Sequence, residues 1–202
     1  TELQSKFPIL WLRASRGFEG VWGGQYDYWR LHGALSWRWH HRRLGSTDMM
    51  LEGGRVSADV PYSKLFTTLG FGATWSEVSL NTAFETMQPY EFVSDRIANI
   101  YIEHNFIRLS SRNPRFQPQP ALIHRMGWGD LSRPELHELG SINRMNRGYF
   151  ESGLAIYSLL RFNYLNLGYI GLGIKALYRY GPYTLPNWED NVAVRLTMKF
   201  SR

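Results

Sequence analysis

The sequence predicts an all-β fold, an antiparallel transmembrane β-barrel with about eight strands in these 202 residues. Three features carry this prediction: segments in which apolar and polar residues alternate, a high content of aromatic residues, and connections that alternate between long and short. Strands of about 10 residues in such a barrel turn one face to lipid and the other to a polar interior. Alternation with a period of two residues is the pattern expected of them.

The segment 191–200 shows the alternation most clearly. Its apolar face consists of Val192, Val194, Leu196, Met198 and Phe200, and the opposite face is small or polar. This is the two-residue period of a strand with one apolar face. An alternating strand that ends in an aromatic residue is typical of the last strand of bacterial outer-membrane barrels.

The other strands are predicted in order along the chain. Segment 28–42 is the most informative, because one face carries three tryptophans and the other carries arginines and histidines. A helix over this segment would place charge on every side, so the helical interpretation fails. The Gly53-Gly54 pair predicts a bulge or bend in the third strand. The remaining predicted strands are 7–15, 46–60, 95–107, 121–129, 149–162 and 168–180.

The connections predict the topology. Long connections at 16–27, 61–94, 130–148 and 181–190 alternate with connections that are mostly shorter. An even number of strands with alternating long loops and short turns is the topology of an outer-membrane barrel, with the long loops extracellular. We therefore treat 1–202 as one outer-membrane β-barrel domain with a long extracellular loop at 61–94 and a second at 130–148. Residues 134–139 are expected to form one helical turn.

Composition narrows the function classes. No run of about 18 apolar residues is present, so no transmembrane helix is predicted. The chain has no cysteine, which excludes a disulfide framework and a thiolate metal site. Its net charge of +6 agrees with three interpretations: binding of nucleic acid, a basic barrel lumen, and basic turns that face lipid headgroups. The basic residues are spaced singly along alternating strands, which favours the lumen, and no nucleic-acid partner is expected.

Charged residues on the polar face are the candidate functional set. They suit two interpretations: a basic lumen that favours anions or docks a folded loop, and a lumen crosslinked and filled by ion pairs, which we favour. The lumen-facing candidates are Arg38, Glu103, Glu151, Arg161, Lys175, Arg179, Arg195 and Lys199. A second candidate set, a motif in and after the first long loop, consists of Met87, Tyr90, Glu91, Phe92, Asp95 and Arg96. Within it, Met87, Tyr90 and Phe92 are expected to pack on one another in an ordered loop; packing on the barrel or lumen wall and a surface for a partner such as a lipoprotein are the alternatives.

No catalytic, cofactor or metal motif is found, and no cofactor is expected. His40 and His41 point to opposite faces of a strand, and His32 lies about 26 Å from His40 by strand rise. A metal site is therefore not predicted. His124 and Ser152 do not make a convincing catalytic pair, and the chain is not expected to be an enzyme.

Several segments that together span about two thirds of the chain carry a resemblance: 60–62 with Leu65, 83–87, 90–92 with 94–96, 103–106, 148–151 and the last strand. In these segments the chain resembles one family of Gram-negative outer-membrane proteins, which carry a carboxypeptidase-regulatory-like domain before a C-terminal barrel of unassigned function. That barrel is distantly similar to the sixteen-stranded barrels of BamA-type insertases and two-partner-secretion transporters. The resemblance implies that these strands are the C-terminal half of such a barrel, and that 61–94 corresponds to its lumen-folding loop. The Val-Arg-Gly-Phe/Tyr signature of that loop is missing, so insertase activity is not carried over.

The expected function is that of a membrane-embedded barrel domain of a bacterial outer-membrane surface protein in transport, secretion or envelope assembly. Outer-membrane lipid is the expected partner, and other envelope proteins or lipoproteins are candidate partners of the long loops. Two alternatives stay open: a soluble lipocalin-like ligand-binding barrel or β-sandwich, and an outer-membrane enzyme. A soluble barrel would turn its apolar face inward, and residue parity does not distinguish inward from outward.

Overall fold

The structure is a computed structural model that describes residues 7–23, 25–57, 60–67, 83–109, 113, 115–136, 143–164 and 168–201. In chain order, the strands of these residues are β1 (Ile9–Gly17), β2 (Tyr28–His41), β3 (Gly45–Val56), β4 (Phe66–Thr67), β5 (Val93–Ser94), β6 (Arg96–Asn105), β7 (Gln119–Asp130), β8 (Tyr149–Tyr164), β9 (Gly168–Tyr180) and β10 (Val192–Ser201). Short 3₁₀ helices cover Tyr62–Lys64, Pro134–Leu136 and Glu189–Asn191. None of the helices in the described ranges is long and apolar enough to cross a bilayer.

Eight of these strands form one sheet in the order β1-β2-β3-β6-β7-β8-β9-β10, and every neighbouring pair is antiparallel. Strands β4 and β5 form a separate two-stranded ladder. The prediction of an all-β antiparallel fold is confirmed, and each predicted strand corresponds to one strand of the sheet. Within the described ranges no pairing joins β1 to β10, so the sheet has two open edges.

The two faces of the sheet differ sharply in chemistry. Along β9, Lys175, Leu177 and Arg179 are at most 2% exposed, whereas Leu172 and Ile174, which point to the opposite side, are each 40% exposed. The same alternation continues on β7, β8 and β10. We call the side that carries Lys175 and Arg179 the covered face and the side that carries Leu172 and Ile174 the outward face.

The predicted bulge at Gly53-Gly54 is wrong. Both ladders of β3 keep a regular register through these residues. Gly54 instead allows close packing, because a Cβ there would lie 2.5 Å from Cζ of Phe66. The irregularity lies in β8, between Ile156 and Leu160, where Ser158 has a φ of 56°.

Several predicted boundaries also change, and the first strand spans Ile9–Gly17 and not 7–15. The third strand ends at Val56 and not at residue 60, because Val60 packs with Leu65 and Phe66 in a hydrophobic cluster at the end of the sheet. The predicted helical turn at 134–139 is a 3₁₀ helix at Pro134–Leu136, and the rest of it lies outside the described residues. Residues 68–82 of the first long loop also lie outside them.

Gly153 on β8 provides a test of the strand packing. A Cβ at this position would lie 2.2 Å from the carbonyl oxygen of Ala176 and 2.7 Å from Cα of Leu177, both backbone atoms. Because backbone in a sheet cannot easily move aside, Gly153→Ala is expected to lower the free energy of unfolding by about 1–3 kcal/mol. Urea unfolding in detergent micelles measures this change.

Gly53→Ala is the matched control, because among the described residues a Cβ there has one neighbour within 4 Å, the carbonyl oxygen of Ile97 at 3.8 Å. Its unfolding free energy is expected to stay within about 0.5 kcal/mol of the parent. Equal stability of the two variants would contradict the packing described for β8 and β9.

Candidate functional site

The covered face holds the described end of the first long loop. Residues 83–92, which we call the docked segment, lie between β4 and β5 in the chain and pack against β6, β7, β8 and β9. Ala83 to Met87 are all buried, and Phe84 and Met87 are at most 1% exposed. The sheet therefore carries a folded piece of its own loop on the face where its charges converge.

Glu151 of β8 anchors the docked segment. Its carboxylate accepts hydrogen bonds from the backbone N–H groups of Glu85 and Thr86, each at 3.0 Å, and from the Thr86 hydroxyl at 2.6 Å. Arg125 of β7 donates to the same carboxylate at 3.0 Å. Glu151 has no solvent exposure, so its charge is compensated entirely by these donors.

Glu85 of the docked segment is the second centre of the cluster. Its carboxylate lies 2.6 Å from Nζ of Lys175, 3.3 Å from Arg125 and 3.7 Å from Arg195. Arg125 also donates to the carbonyl of Ala83. The two acidic groups thus alternate with cations from β7, β9 and β10, which neutralises a set of charges that would be costly to bury singly.

An aromatic cluster continues from these ion pairs. Phe84 packs edge-on to Tyr149 at 5.1 Å between ring centroids, and Phe92 packs edge-on to the same ring at 5.8 Å. Met87 and Phe92 are buried with Tyr101. The hypothesis that Met87 and Phe92 pack within an ordered loop agrees with this geometry, and the sheet supplies the other half of the packing.

Arg179 and Glu91 fix the far end of the docked segment. Arg179 is 2% exposed, lies 2.7 Å from the Glu91 carboxylate and places its guanidinium 4.8 Å from the Tyr149 ring centroid. Tyr90, in contrast, is 66% exposed and has a φ of 60°. Within the predicted motif, Tyr90 is therefore the residue that faces away from the sheet.

Asp95 and Arg96 diverge, although they are adjacent in the motif. The Asp95 carboxylate is buried and accepts a hydrogen bond from the backbone N–H of Ser132 at 2.8 Å. Arg96 begins β6 on the outward face and donates to Asp130 at 2.5 Å. Asp95 therefore links the two long loops through a buried hydrogen bond, whereas Arg96 lies on the opposite side of the sheet.

The other lumen-facing candidates share a face with this cluster but lie apart from it. Arg38 is half-buried and pairs with Asp48, and Arg161 is buried, donates to Gln117 and lies over the Tyr169 ring. Glu103 is buried, whereas Lys199 is exposed and lies 4.6 Å from the Tyr157 ring centroid. The structure unites Glu151, Lys175, Arg179 and Arg195 around the docked segment and leaves Arg38, Arg161 and Lys199 outside it.

Sequence reasoning missed Glu85, Thr86 and Arg125 as site residues. Arg125 has a detectable signal, because it alternates with Ile123 and Gly127 on the same face of β7. Glu85 and Thr86 have no periodic signal, since the docked segment does not alternate, and their partners on the sheet lie 40 or more residues away. Their role depends entirely on the tertiary fold.

His124 and Ser152 are brought together on the outward face. Nδ1 of His124 lies 2.7 Å from Oγ of Ser152, and the Tyr180 hydroxyl lies 3.2 Å from the same oxygen. Within the described residues no carboxylate contacts His124, so the third group that orients a catalytic imidazole is not seen. The expectation that the chain is not an enzyme stays a prediction.

The histidines considered for metal binding take other partners. His32 lies 2.8 Å from the Glu52 carboxylate, and His41 lies 2.9 Å from the Thr47 hydroxyl. In the ranges that the structure covers, no group of three or more metal-ligating side chains is found.

Comparison with known proteins adds no assignment to this geometry: no family model, no curated protein and no solved structure matches the chain.

Proposed function

We propose that the chain is the membrane-embedded β-barrel domain of a bacterial outer-membrane protein that takes part in transport, secretion or envelope assembly. The observation that carries this proposal is the inversion of the sheet. Glu151, Lys175 and Arg179 are buried on the covered face, while Leu154 and Leu196 are 61% and 67% exposed on the outward face. Soluble proteins bury apolar residues and expose charged ones.

The extent of the outward apolar surface supports the same conclusion. Exposed large apolar side chains recur along β7, β8, β9 and β10, so they form a band and not isolated residues; they include Leu122, Trp128, Leu154, Ile156, Leu160, Phe162, Leu172, Ile174, Val194, Leu196 and Met198. Contiguous apolar patches of this kind are typical of surfaces that contact a membrane or another protein. A soluble lipocalin-like barrel would turn this face inward, so the observed burial favours the membrane.

The docked segment bears on the width of the proposed barrel. An eight-stranded barrel has an interior just wide enough for side chains. Here the covered face holds backbone as well, since the N–H groups of Glu85 and Thr86 reach Glu151. Open strand edges are also not tolerated in lipid. We therefore infer that further strands pair with β1 and β10 and close a wider barrel, with the docked segment inside its lumen.

In this proposal the docked segment is a lumen plug held by ion pairs. The cations around Glu85 and Glu151 come from three different strands, so the plug also crosslinks the wall. Outer-membrane lipid is the partner of the outward face. The long loops, with Tyr90 exposed on the first of them, are the surface offered to other envelope proteins or lipoproteins.

The proposal is tested by comparing the gel migration of unboiled and boiled samples in detergent. The comparison is made for this chain and for the full-length protein that contains it. Closed barrels resist detergent unfolding until they are heated, because every strand edge is paired. We expect the full-length protein to shift on boiling and to stay in the membrane pellet after carbonate washing. If the 202-residue chain by itself also shifts on boiling, its strands close a barrel without further strands, which would contradict the wider barrel. Release by carbonate, without any shift, would contradict the membrane assignment.

A further inference from the structure

Two arginines lie side by side on the mostly apolar outward face. Arg55 of β3 is directly opposite Arg96 of β6, near the end of the sheet where the long loops lie. Each guanidinium lies 5.8 Å from an indole ring, Arg55 from Trp29 and Arg96 from Trp128. Like charges opposite each other on neighbouring strands destabilise a sheet. An anion between them would remove that repulsion.

The carboxylates nearby pair with only one of the two arginines. Arg96 lies 2.5 Å from Asp130, its cross-strand neighbour on β7, and 3.9 Å from the buried carboxylate of Asp95. Within the described residues, no carboxylate lies at ion-pair distance from Arg55. A guanidinium presents paired N–H donors that match the oxygens of a phosphate. The pair therefore suits a phosphate group.

Small residues on the same face lie next to the arginines, toward the middle of the strands. Gly33 pairs with Gly53, and Gly53 pairs with Ala98, so a row of three strands lacks large side chains. A Cβ at Gly53 would meet only one neighbouring atom, 3.8 Å away. A cavity of about 610 Å³ is lined in part by Gly33, Gly53 and Arg55. We call this row the Gly33–Gly53 furrow.

We propose that Arg55 and Arg96 bind the phosphate headgroup of a membrane lipid whose acyl chain lies along the Gly33–Gly53 furrow. This site rests on the proposed membrane function. Tryptophan and basic side chains concentrate where a membrane meets water, which is the level at which a lipid phosphate lies. The furrow distinguishes a lipid from free phosphate, because it gives an apolar chain a place beside the headgroup.

The test uses the full-length protein folded in detergent. Phosphatidic acid is the probe, and phosphatidylcholine and inorganic phosphate are the comparison ligands. Native mass spectrometry measures the apparent affinity for each lipid. We expect phosphatidic acid to bind more tightly than phosphatidylcholine. Arg55→Gln and Arg96→Gln should each weaken its binding about fivefold, and together about 30-fold. Gly53→Val should weaken it as well, by filling the furrow.

Arg43→Gln is the matched control, because Arg43 is an exposed arginine in the turn between β2 and β3, at the opposite end of these strands from Arg55. It should bind phosphatidic acid like the parent. The lipid site is overturned if the heat-modifiable double variant binds phosphatidic acid as tightly as the parent. It is also overturned if inorganic phosphate displaces phosphatidic acid as effectively as unlabelled phosphatidic acid does. An unchanged affinity of Gly53→Val for phosphatidic acid would overturn it as well. A parent that is not heat-modifiable in detergent contradicts the proposed function itself and removes the lipid site with it.

Discussion

Glu151→Ala is expected to release the docked segment from the sheet. The substitution removes the acceptor of two backbone N–H groups and of the Thr86 hydroxyl, and it leaves Arg125 without one of its two carboxylate partners. Removing one member of a buried ion pair costs about 3–5 kcal/mol. If this cost falls on docking, the open form of the segment becomes about 150- to 4,000-fold more populated.

Chymotrypsin cleavage after Phe84 measures this opening, because Phe84 is fully buried while the segment is docked. The cleavage rate should rise in proportion to the open population. Ion conductance across a planar bilayer should rise too if the segment plugs a lumen. Glu52→Ala is the control: Glu52 is a half-buried carboxylate on the covered face that bonds His32, Asn99 and Tyr101 and not the docked segment. Equal cleavage rates in the two variants would contradict the anchoring role of Glu151.

Leu154→Arg is expected to destabilise the folded protein in lipid by about 2–4 kcal/mol, the cost of an arginine at the middle of a bilayer on the lipid-facing side of a barrel. Leu154 lies in the inner part of β8 on the outward face and is 61% exposed. In a soluble protein, a residue this exposed would accept arginine with a change of about 0.5 kcal/mol or less. Urea unfolding in phosphatidylcholine vesicles separates the two cases.

Leu44→Arg is the matched control for this prediction. Leu44 is also 61% exposed, but it lies in the short turn between β2 and β3, where the proposed barrel meets water. The expected cost there is about 0–1 kcal/mol. If both variants are as stable as the parent, the outward face does not contact lipid and the soluble alternative gains.

The strands were predictable because alternation is local. On β9 the predicted faces match the observed burial, since Lys175 and Arg179 are buried on one side and Leu172 and Ile174 are exposed on the other. The match extends to β10 from Ala193 to Thr197, whereas Lys199 near the end of that strand is exposed. The ends of the strands were less predictable. The third strand ends at Val56, and Val60 packs in a hydrophobic cluster with Phe66 instead of pairing in the sheet. The Gly53-Gly54 pair predicts a bulge, but both neighbouring strands pair with β3 in a regular register through these residues.

The alternation of residues predicts that the chain is all-β, which residues share a face, and that one face is charged and the other apolar. Which of the two faces is covered follows from the tertiary structure, because a two-residue period separates the faces without assigning either to the interior. The position of residues 83–92 follows from the tertiary structure as well. Glu85 is 66 residues from Glu151 and 90 from Lys175, and contacts over such separations depend on the strand order and register of the whole sheet. A local sequence pattern does not predict them.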